Sequence, residues 1–320
     1  MELVFAFFFI IFVVILTIIV FFRRSKLRVN LKKDQIPEYL GCIEGTPIQP
    51  LKIKLESALT SDLVHQVRTR FLQSNSKITE DEFEWRLFEL KRFFLLTGVL
   101  KTVPMYSEEV DDVWHEMLMF TQNYQTFSEK YNGSMLHHKP NVQGGGDPSD
   151  RAFFDWVFSQ LFEITQFSWQ TWGDFFRHPL HPTLIKEFQL KDEHYLKEKY
   201  FRITEESEQI ADYLINKFKE QCADAENIHK QNEKEIFRKQ QLYGDFSNTS
   251  LIMVYYSIFY YEQYWSMAKE YLYSDAAKNS SGCTTAVFCG SAMSGSKNGD
   301  NGDSSSCSSG DASCGGGCSS

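Results

Sequence analysis

Cysteine is almost missing from the body of the chain. Cys42 and Cys222 stand alone there, and the other five (Cys283, Cys289, Cys307, Cys314 and Cys318) lie in the tail. Two distant thiols exclude a disulfide scaffold. Positive charge is also in short supply: 33 Lys and Arg face 42 Asp and Glu, for a net charge of −9. Nucleic acid is therefore not expected as a partner, because general nucleic-acid binding needs a basic face to displace phosphate counterions. No glycine-rich phosphate loop and no Gly-x-Ser-x-Gly elbow occurs. His115-Glu116 is followed by Met119 where a zincin helix needs a second histidine. No convincing strand alternation is found either, so the class expected is all-α.

Long apolar runs are rare beyond the first one. Residues 3–22 read LVFAFFFIIFVVILTIIVFF, with Thr17 the only polar member. At ~1.5 Å rise per residue this matches a ~30 Å hydrocarbon core, which predicts a transmembrane anchor over 1–22. No short basic n-region precedes it and no Ala-x-Ala follows, so a cleaved signal peptide is not expected. Arg23, Arg24, Lys26, Arg28, Lys32 and Lys33 come directly after. Such a cluster predicts a single-pass protein of the cell membrane, N-terminus outside and main body cytoplasmic, with the bilayer as a partner. The same residues either hold anionic headgroups or only fix topology.

The remaining organisation follows from punctuation. Residues 23–58, with Pro37, Gly41, Gly45, Pro47 and Pro50, read as a basic juxtamembrane segment and an irregular connector. Helical patterns fill 59–275: a capping box at Thr79–Glu82 opens an amphipathic run through Leu100, and Ser107 suits the N-cap of the next helix. Asp147-Pro148 suits a helix entry, and 250–273 reads as a buried helix, with a helix lying on the membrane interface as its rival. Residues 276–320 are Gly/Ser/Cys-rich without periodicity and are expected to be disordered.

Candidate chemistry concentrates at 110–140, VDDVWHEMLMFTQNYQTFSEKYNGSMLHHKP, which holds three of the eight histidines. On a helix from 107 to 131, Val110, Val113, Trp114, Met117 and Tyr124 form a core stripe. Asp111, Asp112 and His115 fall opposite, with each carboxylate in reach of the imidazole at i, i+3 or i, i+4. Asp111 or Asp112, His115, and His137 or His138 would suit a divalent transition metal (Zn, Fe or Mn), with Glu116 as a candidate base. The bland alternative is a solvated surface pair. A continuous helix also carries the chain ~25 Å from His115 before it can reverse at Asn132-Gly133, so the distant arrangement is the one expected.

The pattern Val110-Asp111-x-Val113-Trp114-His115, then Thr121-x-x-Tyr124, Gly133 and Leu136-His137-His138-x-Pro140, resembles the glycine-rich domain-containing protein family of plants and bacterial relatives. The likeness covers about fifty residues. The resemblance implies that Val110, Trp114, Thr121, Tyr124, Gly133 and Pro140 are structural members of the motif, and it brings no catalytic activity with it. Family members often carry a second histidine two positions after the first, where this chain has Met117.

Two functions stand open. One is a membrane-anchored, partner-binding helical module in which the histidines are structural. The other is a metal-dependent enzyme, hydrolytic or oxidative. His178 and His181 read as turn residues beside Pro179 and Pro182, and Cys314-Gly-Gly-Gly-Cys318 as solvated tail.

Overall fold

The computed structural model describes residues 32–138, 147–231, 237, 244 and 246–272. Among these residues the chain forms twelve α-helices and no strand, with three isolated antiparallel bridges, so the all-α expectation holds. Among the described residues no helix is long and apolar enough to cross a membrane. The long helices are amphipathic or carry charge: Glu80–Val99, although buried along much of its length, contains Glu84, Arg86, Glu89, Lys91 and Arg92. This corrects the expectation of a single-pass membrane protein. The expected anchor at 1–22 lies outside the described residues, as do Arg23, Arg24, Lys26 and Arg28, and no described helix supports a membrane location or a bilayer partner. Pro140 and the 276–320 tail also lie outside the described residues.

Lys32 and Lys33, expected beside a bilayer, instead dock onto protein. Lys32 Nζ lies 3.4 Å from Asp81 Oδ2, the Lys33 amide donates to Asp81 Oδ1 at 3.2 Å, and Lys32 O accepts from Trp85 Nε1 at 3.0 Å. Asp81 sits in the first turn of a helix, where an anion already suits the dipole, and the Lys33 amide holds its carboxyl below the usual range.

The expected irregular connector ends in a helix, α1 (Gln49–Ala58), because Pro50 falls in its first turn, where a missing N–H costs nothing. Then come α2 (Ser61–Ser74), α3 (Glu80–Val99), α4 (Glu108–Leu118) and α5 (Thr121–Asn132). Thr79 caps α3 by accepting from Glu82 N–H, and Ser107 caps α4 by accepting from Val110 N–H. Helix α3 is the axle of this half. It packs against α1, α2 and α4 and buries Phe83, Leu87, Leu90, Phe93, Phe94, Leu95 and Leu96.

Residues beyond the 139–146 gap form α6 (Pro148–Leu161), α7 (Gln166–Trp172), α8 (Pro182–Leu190), α9 (Glu193–Tyr200), α10 (Glu208–Gln231), α11 (Ser247–Phe259) and α12 (Tyr264–Leu272). Helix α11, within the stretch read as buried, has Ile252, Met253, Val254 and Tyr255 fully inside. Its neighbours are α6, α8, α10 and α12. His181 is the N-cap of α8, its Nδ1 accepting from Thr183 N–H at 3.2 Å, so that histidine is the turn residue expected.

Candidate metal centre

The 107–131 segment is two helices, and that break makes the site. Helix α4 ends at Leu118, Phe120 leaves helical geometry (φ −93°, ψ 59°), and α5 starts at Thr121. The chain then reverses at Gly133, whose φ of 72° is the left-handed conformation that glycine adopts without a Cβ penalty. The expectation of a continuous helix with distant histidines is corrected accordingly.

The return is held by a short relay. Trp114 Nε1 donates to Tyr124 Oη at 2.9 Å, and Tyr124 Oη donates to the Leu136 carbonyl at 2.7 Å. Burial pushes the Tyr124 hydroxyl above its ordinary pKa, which keeps it a neutral group able to accept and donate at once. Val110, Trp114 and Tyr124 are all buried, whereas Thr121 is an exposed first-turn residue of α5. Trp114, Tyr124 and Gly133 together seat the 134–138 segment against α4, and Val110 is buried in the core.

His138 is delivered to Asp111. Its Nε2 lies 2.5 Å from Asp111 Oδ1, and its ring meets the Trp114 ring edge-on with centroids 4.7 Å apart. His115 Nδ1 lies 3.7 Å from Asp111 Oδ2, one helical turn along. The two imidazole centroids are 4.4 Å apart. One ligand atom each from Asp111, His115 and His138 falls within a 4.8 Å spread. Burial is graded across the trio: the side chains of His138 and Asp111 are 8% and 19% exposed, that of His115 51%. The cluster is fixed at its inner edge and open at its outer one.

Three candidates stand apart from it. His137 is exposed, since neighbours in an extended segment face opposite ways. Asp112 turns to Arg86, 3.5 Å away, and Glu82 in turn holds Arg86 at 2.8 Å. Glu116, the candidate base, is occupied by Arg70 Nε at 3.0 Å. Met117 is buried in the core, so a side chain at that position points away from the trio. The absent second histidine therefore removes nothing from this cluster. The Leu136 carbonyl that holds the return, and Arg70 and Arg86, which draw Glu116 and Asp112 away from the trio, were not legible in the sequence, because they come from the backbone or from other helices.

A Tyr124→Phe variant tests the relay. It strands the Trp114 N–H and the Leu136 carbonyl, both buried, and should cost about 1–3 kcal/mol of stability in urea unfolding. An unchanged midpoint would show that the hydroxyl does not hold the return.

The family described as UCP032817-like matches residues 54–154, a span that includes α2 to α5 and the whole cluster. That description names no activity. No curated protein and no solved structure matches the chain.

Proposed function

We propose that Asp111, His115 and His138 bind one divalent transition metal, and that this helical module is a metal-dependent enzyme of hydrolytic or oxidative type. The convergence of the three ligand atoms carries the reading. Two imidazoles and one carboxylate suit Zn, Fe or Mn. Three protein ligands would leave coordination positions for water or substrate, and the exposed side chain of His115 would keep such a site open to solvent. A metal held in this way supplies a polarised water or a Lewis acid.

The chain's own contribution is positioning. Asp111 and His115 are fixed by α4, and His138 by the Trp114–Tyr124–Leu136 relay. Asp111 Oδ1 and His138 Nε2 are now hydrogen-bonding partners. Ligand atoms ~2.1 Å from a shared metal in tetrahedral array are ~3.4 Å apart. A metal shared by the three would have to part that pair, and its binding would displace any proton carried on the ligating nitrogens. Bound metal should accordingly be lost on acidification.

The test is metal content of the full chain, purified without chelators. The five tail cysteines are replaced by serine so that thiolates do not contribute. About one equivalent of Zn, Fe or Mn is expected, or one equivalent of added Co2+ with a nitrogen/oxygen-type spectrum. A protein that neither retains a metal nor takes up Co2+ would remove this reading.

A further inference from the structure

We propose that the cavity between the 36–40 segment, α1 and α3 binds a small organic monoanion with an apolar body, with Lys91 as its counter-ion. The cavity is about 360 Å³, at the lower end of small-molecule sites. Ile36, Pro37, Leu40 and Phe88 form its apolar wall.

Its charge is decided by pairing. Four charged groups line it: Lys52, Glu56, Glu84 and Lys91. Lys52 Nζ lies 3.0 Å from Glu56 Oε1, and Glu84 is bound by Arg68 from α2. Those two pairs cancel, and among the described residues Lys91 has no ion-pair or hydrogen-bond partner. With Arg68 counted from outside the lining, three cations meet two carboxylates, and Lys91 is the cation left without a contact partner. Lys91 is half-buried, and burial lowers its pKa against the raising pull of Glu84 and Glu56. A desolvated ammonium without a contact partner is costly, and an anion in the cavity would offset that cost. The flanking carboxylates of Glu56 and Glu84 weigh against a dianion.

The segment that brings Tyr39 and Leu40 to the cavity is held in a strained backbone. Tyr39, Leu40 and Gly41 have φ of 51°, 60° and 56°, three successive left-handed residues of which two carry a Cβ. Such backbone persists only where its surroundings over-determine it, and it concentrates at ligand clamps. Here the anchor is buried: Arg92 Nε donates to the Leu40 carbonyl at 2.8 Å. The cavity's shape is set from behind, by a side chain that does not line it.

The probes are benzoate and, as a cation of similar size, benzylamine, titrated calorimetrically into the full-length chain. Benzoate should saturate one site at about millimolar concentration, and benzylamine should not. Lys91→Met should weaken benzoate roughly 10-fold or more, and Lys91→Arg should keep it within a few-fold. His138→Ala should leave it unchanged, which separates this cavity from carboxylate binding at the metal cluster. In the wild-type chain the Lys91 Cε resonance should move with benzoate occupancy, whatever the folding of the variants. The proposal is overturned by absent saturation, by equal binding of benzylamine, by loss in His138→Ala, or by a Lys91 resonance that stays put.

Discussion

His138→Ala should reduce affinity for Co2+ or Zn2+ by roughly two orders of magnitude, the share of one ligand among three or four. The adjacent His137→Ala should leave it unchanged, and that contrast is the sharpest available. The two histidines share composition, charge and nearly the same place in the chain, but only His138 has its ring against Trp114 and its Nε2 on Asp111. A charge effect or a general loosening of the 134–138 segment would affect both variants alike. His115→Ala should match His138→Ala in metal affinity and differ in stability. The His115 side chain is 51% exposed and little packing is lost there, whereas that of His138 is 8% exposed and leaves a gap beside Trp114. The stability difference should be on the order of 1 kcal/mol. Equal metal affinity in wild type and His138→Ala would remove His138 as a ligand. Reduced affinity in His137→Ala would show that the wrong histidine has been assigned.

The local part of this site was legible and the long-range part was not. Asp111 and His115 share one helical face by spacing alone, and Ser107 announces where that helix begins. The reversal at Gly133 was also readable, because a glycine after Asn132 offers the left-handed turn that a helix end uses. What spacing could not show was the break at Met119–Phe120. Residues 117–124 have no proline or glycine, and their apolar pattern continues in phase across the break. Tertiary contacts take over beyond the break: Phe127 packs on Phe94 and Tyr124, and Tyr124 reaches the Leu136 carbonyl of the return. That one residue pair lets the chain return to His115 within a single helix length. Glu116 misled for a related reason. Its neighbour His115 suggested chemistry, but its partner Arg70 lies on α2, forty-six positions back, where no local pattern connects them.

Membrane placement failed differently. It rested entirely on residues 1–33, and of the two basic residues that are described, Lys32 and Lys33, both are engaged with Asp81 and Glu80 at the head of α3. A run of lysines reads the same whether its partner is lipid or the first turn of a helix, since both offer negative charge. Such a run reveals that an anion is wanted and leaves open which one.

The largest stability effect is expected at Glu89, in the middle of α3. Glu89 and Arg92 are both fully buried, with Arg92 Nη1 3.4 Å from Glu89 Oε1. Helix periodicity places them side by side but gives no hint that the pair faces inward. Glu89 is completely used: Ser168 Oγ donates to Oε1 at 2.7 Å and Trp172 Nε1 to Oε2 at 2.8 Å, which ties α7 to α3. Arg92 in turn donates to Ser168 Oγ at 3.2 Å and sits over the Phe88 ring at 4.1 Å. Glu89→Ala would strand a guanidinium in the core and leave the Trp172 N–H without an acceptor. Burial already pulls Arg92 toward its neutral form and Glu89 opposes that pull, so the carboxylate is what keeps the charge tolerable there. Removing one partner of such a pair costs about 3–5 kcal/mol, against a typical total of about 5–15 for a domain. Glu89→Gln should cost less, because the amide oxygen still accepts one hydrogen bond while the counter-charge is lost. Arg92→Met combined with Glu89→Leu removes both charges, and it should be more stable than Glu89→Ala alone. Urea midpoints of the three variants separate the charge from the hydrogen bonds. A Glu89→Ala protein within about 1 kcal/mol of wild type would mean that water reaches Arg92 and that α3 is not the sealed axle described.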